Sequence, residues 1–175
     1  MTDQTPTTED DTAPPEATST PPSTREMERR WGKGVLGPGF VFLPSALVRG
    51  QSRLKIDATE LTVLIHLLDH WWAASEMPFP SKRRLSERMG VSEKTIQRAM
   101  ARLEALGLVK RVARHFAAGG QASNFYDLSG LVERVQEIAR DMMEARKEAQ
   151  ETRRKAERPG LKRRGKPAKK SEAQA

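Results

Sequence analysis

The sequence predicts a mainly α fold with a small β-hairpin, a long C-terminal helix and tails that do not pack. Three observations carry this reading. The stretch Ser81 to Leu108, SKRRLSERMGVSEKTIQRAMARLEALGL, repeats apolar residues at helical spacing and breaks once, at Gly90. Two short β-type runs, Leu108 to Ala113 and Ala122 to Leu128, flank the turn residues Gly119-Gly120. Residues near both ends offer little that a core can bury.

In chain order, residues 1–28 form an acidic Thr/Pro-rich tail expected to be disordered. Asp3, Glu9, Asp10, Asp11 and Glu16 stand there before the first cation, Arg25. A solubilising role fits that composition better than an autoinhibitory mimic of a nucleic acid. Residues 29–56 read as a Gly-rich connector with a short strand and a helical turn. Within Trp31 to Gly39, WGKGVLGPG, the glycines Gly32, Gly34 and Gly37 have dinucleotide-binding spacing. No strand pattern precedes them and Pro38 obstructs a following helix, so the context that motif needs is missing. The segment is taken as a flexible entry, with Trp31 anchoring on the core. Phe40 to Leu47, FVFLPSAL, reads as the short strand, then the helical turn from near Pro44.

Residues 57–128 form the expected folded domain. Asp57 and Glu60 have the spacing of a capping box, and Ile56 with Leu61 that of a hydrophobic staple. The helix they open carries an apolar face of Leu61, Leu64, Ile65, Leu68, Trp71 and Trp72. Its two tryptophans point about 100° apart, which buries one and leaves the other at an edge. Base stacking by the edge tryptophan is weaker than core packing as a reading. Pro78-Phe79-Pro80 is extended and leads to Ser81, an N-cap.

From Ser81 the chain forms two helices around a tight turn. Leu85, Met89 and Val91, then Ile96, Ala99, Met100, Leu103 and Leu106, form the buried stripe. Gly90 supplies a left-handed turn residue, Ser86 is small where two helices cross, Ser92 caps the second helix, and Gly107 stops it. Lys82, Arg83 and Arg84 sit in the first turn of the first helix, where cations oppose the helix dipole. An anionic partner such as a phosphate backbone removes that conflict, whereas an ordinary solvated hairpin leaves it in place. The hairpin follows, with its tip over Arg114 to Gln121. It places Asn124, Tyr126 and Leu128 on one face and Ser123, Phe125 and Asp127 on the other.

Residues 129–158 form the long helix, from about Leu131 to Glu157. Leu131, Val135, Ile138 and Met142 make a heptad seam, read equally as a dimer contact or as packing on the same chain. Residues 159–175, with LKRRGKPAKK, form a disordered basic tail able to add phosphate attraction without sequence preference.

Bulk composition narrows the function classes. Of 175 residues, 37% are hydrophobic and 31% charged, with a net charge of +8, so one domain with tails and a polyanionic partner is expected. The absence of cysteine excludes disulfides and thiolate chemistry. The N-terminal residues do not resemble a signal peptide and no apolar run is long enough to span a bilayer, so a cytoplasmic, nucleoid-associated protein is expected. His66 and His70 lie four apart beside Asp69, but further ligands are missing and no metal is expected. No nucleophile–base pair, phosphate loop or carboxylate pair stands out; neither an enzyme, nor a cofactor, nor a small-molecule ligand is expected.

The element order and these residues resemble the winged helix-turn-helix family of bacterial DNA-binding proteins. The likeness covers Asp57 to about Leu128 and is most specific in RLSERMGVSEKTIQRAMARLEALGLVKR. The FVFLPSAL turn and the run GGQASNFYDL look like domains of plasmid and phage replication and regulatory proteins. The family implies a second helix in the major groove and a hairpin wing on the backbone or minor groove. Double-stranded DNA is then the expected partner, and regulation of transcription the expected function. Glu93, Lys94, Gln97 and Arg98 are the candidates for reading base edges. Lys82, Arg83, Arg84, Ser92, Thr95, Arg102, Lys110 and Arg111 are the candidates for phosphate contact, and Arg114 and Gln121 for the wing. A homodimer would use the heptad seam. The rivals are a replication-initiation or partition factor of a plasmid or phage, a winged-helix protein-interaction scaffold, and an RNA binder.

Overall fold

The computed structural model describes residues 23–115 and 122–157, and the chain divides into two units, 1–40 and 41–175. The first unit contains α1 (Thr24–Trp31) and the single turn α2 (Lys33–Leu36). Ser23 caps α1 by accepting from the Glu26 N–H, Glu26 lies in the first turn, and Arg29 and Arg30 lie in the last. Cap and charge order both favour a helix, and neither needs a core. Residues 24–31 are therefore helical, where tail and connector were expected. Trp31 is 66% exposed. The remainder of the acidic tail lies outside the described residues.

The second unit runs α3 (Ser45–Arg49), α4 (Gln51–Leu54), α5 (Ala58–Asp69), α6 (Lys82–Met89), α7 (Glu93–Ala105), β1 (Lys110–Val112), β2 (Phe125–Asp127) and α8 (Ser129–Glu157). Residues 40–44 adopt neither helix nor strand, against the expected short strand. An extended segment becomes a strand only when a second backbone pairs with it, and the sheet of the described residues consists of β1 and β2 alone. The helical turn after Pro44 is present as α3.

The capping box of α5 forms in full: Asp57 accepts from the Glu60 N–H at 2.8 Å, and Glu60 accepts from the Asp57 N–H at 2.8 Å. Val63, Leu64 and Leu67 are its most buried apolar residues, while Leu61, Ile65 and Leu68 are half-buried. The buried face is thus rotated from the expected one. The helix also ends earlier. His70 and Trp71 donate to the Leu67 and Leu68 carbonyls, and these i→i−3 bonds tighten and close the last turn. Trp71 follows the helix and packs against the core, whereas Trp72 is 81% exposed.

Between α6 and α7, Gly90 adopts φ 66° and ψ 28°, the left-handed conformation the turn requires. Ser86 braces the same turn, donating its hydroxyl to the Val91 carbonyl at 2.6 Å. Leu85, Ile96, Met100 and Leu103 fill the core beneath the helix pair. After α7, Gly107 takes φ 70°, its N–H bonds to the Glu104 carbonyl, and the Leu108 N–H reaches the Leu103 carbonyl. This is the paired closure that a glycine past a helix end permits.

β1 and β2 pair antiparallel, with Lys110 opposite Asp127, Arg111 opposite Tyr126 and Val112 opposite Phe125. Tyr126 and Leu128 face the core, as their alternation predicts. The Tyr126 N–H donates to the Pro78 carbonyl at 2.9 Å and the Ser123 hydroxyl to the Phe79 carbonyl at 2.9 Å. The Pro78-Phe79-Pro80 segment therefore braces the root of the hairpin. Residues 116–121 of the hairpin tip, Gln121 among them, lie outside the described residues, as does the basic tail.

α8 begins against the end of α7. The Leu131 N–H bonds to the Leu108 carbonyl at 3.0 Å, and a Cβ on Gly130 would fall 2.0 Å from the Gly107 carbonyl oxygen. No larger residue fits there. Leu131 and Ile138 are buried in the chain's own core, and Val135 and Met142 pack against it. At Gly50, between α3 and α4, an added Cβ would lie 2.9 Å from the Ile138 side chain. Within the single chain these four seam residues thus meet the domain's own core, and α8 also packs on α3. Among the described residues no helix is long and apolar enough to cross a membrane.

Candidate nucleic-acid interface

The outer face of α7 is set by what its inner face buries. Ile96, Ala99, Met100 and Leu103 point into the core, which turns Lys94, Gln97, Arg98 and Ala101 outward as one stripe at spacings of three and four. Glu93 is exposed at its start. The Ser92 hydroxyl accepts from the Thr95 N–H at 3.1 Å and lies 2.9 Å from the Thr95 hydroxyl. Both hydroxyls thus take part in the cap, with Ser92 exposed and Thr95 half-buried.

At the start of α6 the Ser81 hydroxyl accepts from the Arg84 N–H at 3.1 Å, and Lys82, Arg83 and Arg84 all face solvent. The first turn holds no acid. Arg83 pairs with Glu87 at 2.8 Å. Lys82, Arg84, Lys94 and Arg98 make no ion pair within the described residues. Their charge is not offset by the fold and is available to an anion.

Besides Arg83, two more of the expected phosphate contacts have partners within the chain. Arg102 bridges at 2.8 Å to Glu60, a carboxylate only 1% exposed, and donates at 3.3 Å to the Lys55 carbonyl. Arg111 holds Glu104 through a forked ion pair, one arm of which measures 2.7 Å. Its hydrogen bond keeps the Glu104 carboxyl below the usual carboxylate range. Both arginines fix α7 to its surroundings. Spacing alone does not separate such residues from solvent-facing cations, because their acids come from α5 and from the end of α7. Lys110 remains exposed on β1.

At the wing root, the Arg114 guanidinium lies 4.4 Å from the centre of the Phe79 ring and 5.2 Å from that of Phe125, and the two rings meet edge to face at 5.7 Å. This cluster fixes where the wing leaves the domain. Of the two histidines at the end of α5, the His70 ring is engaged within its own turn. His70 Nδ1 donates to the His66 carbonyl at 2.8 Å, and Asp69 pairs with Arg88 at 2.8 Å. Burial, then the Arg88 charge, pushes the His66 pKa below its ordinary value. Among the described residues no group of three or more potential ligands is placed to hold a metal.

Among curated proteins none matches the chain. Solved structures that resemble it include the N-terminal domain of the DnaD protein from Geobacillus kaustophilus HTA426. That match has 22% identity over 66% of this chain and 93% of that one, with a TM-score of 0.48. A chain described as a possible transcriptional regulator, from Methanosarcina mazei Go1, matches at 18% identity, over 59% of this chain and 82% of that one, with a TM-score of 0.39. The transcriptional regulator PA3341 matches at 26% identity, over 58% and 70%, with a TM-score of 0.36. A family model described as a helix-turn-helix domain matches residues 54–109, which span the end of α4 through α7. The matched segment is thus similar to a helix-turn-helix domain, and the β1–β2 hairpin follows it in the chain.

Proposed function

We propose that the protein binds double-stranded DNA in a sequence-specific manner and regulates transcription. In this reading α7 enters the major groove, where Lys94, Gln97 and Arg98 read base edges and Glu93 stands at the entering end. Lys82, Arg83, Arg84 and Lys110 hold phosphates, and the Ser92 and Thr95 hydroxyls add polar contacts at the start of α7. Arg114 places the wing against the backbone. The observation that carries the proposal is the outward stripe of α7, whose cations have no ion-pair partner among the described residues while the opposite face is buried. A scaffold for protein partners needs no such cationic face.

The five cations Lys82, Arg83, Arg84, Lys110 and Arg114 predict a log–log salt slope of roughly −4 to −5 for duplex binding. Anisotropy titration across salt concentrations checks this, and a slope near zero excludes the arrangement. Crosslinking across the genome then tests the regulatory role. Sites spread over promoters support it, whereas a cluster at one origin assigns the protein to replication of a mobile element.

A further inference from the structure

Trp72 has no place in the duplex-binding arrangement, yet it is 81% exposed. It lines a cleft of about 470 Å³ with Phe79, Arg84 and Arg114, between the α5–α6 connector, the start of α6 and the wing root. That volume lies within the rough 300–1,000 Å³ range of small-ligand sites. Phe79 is itself half exposed, and Arg114 already stacks on its ring. Glu76 is the one carboxylate on the lining, against two guanidinium groups. The apolar lining combines the aromatic faces of Trp72 and Phe79 with Met77 and Pro80, beside the two cations. A flat base with a phosphate matches that combination better than an aliphatic side chain does.

We infer that this cleft binds an unpaired nucleotide of single-stranded DNA, its base stacked on Trp72 and its phosphate held by Arg84 and Arg114. Arg84 also faces the proposed duplex interface, so the cleft continues that cationic surface. The protein then favours junctions where a duplex opens into a single strand. The location of the junction rests on the duplex reading above, while the cleft's affinity for a nucleotide does not.

The test uses the full chain and three DNA probes: oligothymidylate of about eight nucleotides, a blunt duplex, and the same duplex with an overhang of that length. Oligothymidylate should quench tryptophan fluorescence, and Trp72→Phe should abolish the quenching. The overhang should strengthen binding about tenfold over the blunt duplex, as stacking of a base on an aromatic ring allows. Trp72→Ala should remove that gain and leave blunt-duplex binding unchanged. Equal affinity of the wild type for both duplexes, or an overhang gain that survives Trp72→Ala, overturns the inference. So does competition by an oligoglutamate as effective as that by oligothymidylate, since the cleft would then sense charge alone. Quenching by oligothymidylate without blunt-duplex binding would instead defeat the duplex reading and leave this one standing.

Discussion

Arg102 illustrates why a cation on a recognition helix need not serve recognition. Its partner Glu60 is buried and also closes the capping box of α5. Removing Arg102 leaves that carboxylate without its cation, and uncompensated buried charge is costly. Arg102→Ala should therefore destabilise the fold by about 3 kcal/mol, read as a lower urea midpoint, before any loss of DNA affinity is considered. Gln97 and Arg84 should behave differently, because both are exposed and neither closes a cap with its side chain. Gln97→Ala should cost about 1–3 kcal/mol on the best site and relax preference at one base pair. Arg84→Ala should weaken all duplex sequences about equally and flatten the salt slope by about one unit. Binding selections on randomised duplexes, with salt titrations, distinguish the two. Loss of affinity in both variants with unchanged sequence preference would remove α7 from base reading.

α8 has a regular apolar period that does not say which surface it covers. Leu131 and Ile138 are buried beneath it, Gly130 admits its start against Gly107, and Gly50 admits Ile138. Arg53 of α4 and Asp141 of α8 add an ion pair across the same contact. Val135→Glu/Ile138→Glu should therefore abolish cooperative folding rather than merely separate chains, since a carboxylate forced into this core has no partner. The loss should exceed about 4 kcal/mol. Circular dichroism together with light scattering decides the matter. A variant that melts like the wild type but halves in mass would return the seam to a dimer interface.

For the whole molecule, charge and pH act on different parts. The net charge of +8 favours polyanions at long range, while the pH dependence of folding depends on a few packed groups. His66 has a folded pKa below its ordinary 6.5, through burial and the Arg88 charge, with His70 adding to the shift and Asp69 opposing it. The unfolded chain then binds the proton more readily. Stability from this group is complete above about pH 6.5 and is lost as pH falls through the folded value. Urea midpoints should fall between about pH 7 and pH 5, and His66→Gln should flatten that dependence. A second loss should come in stronger acid, where protonation of Glu104 releases Arg111 and protonation of Asp127 releases the Ser129 N–H. An unchanged pH profile in His66→Gln would exclude this source.

Local rules in the chain were enough to place the capping box at Asp57 and Glu60, the turn at Gly90, the cap at Ser92, the stop at Gly107 and the outward stripe Lys94, Gln97 and Arg98. Each depends on residues within about one helical turn of one another, so short-range hydrogen bonding and helical period specify it. The helix Thr24–Trp31 was also local, in the cap Ser23 and its charge order, but the polar composition around it masked the signal. Tertiary structure alone decided the rest. It paired Arg102 with Glu60, laid Pro78 along β2, turned the buried face of α5 onto Val63 and Leu67, and set the first heptads of α8 on α3. Those outcomes depend on which surfaces meet in space, and an apolar or charged residue carries no record in its local sequence of the distant group that will cover it.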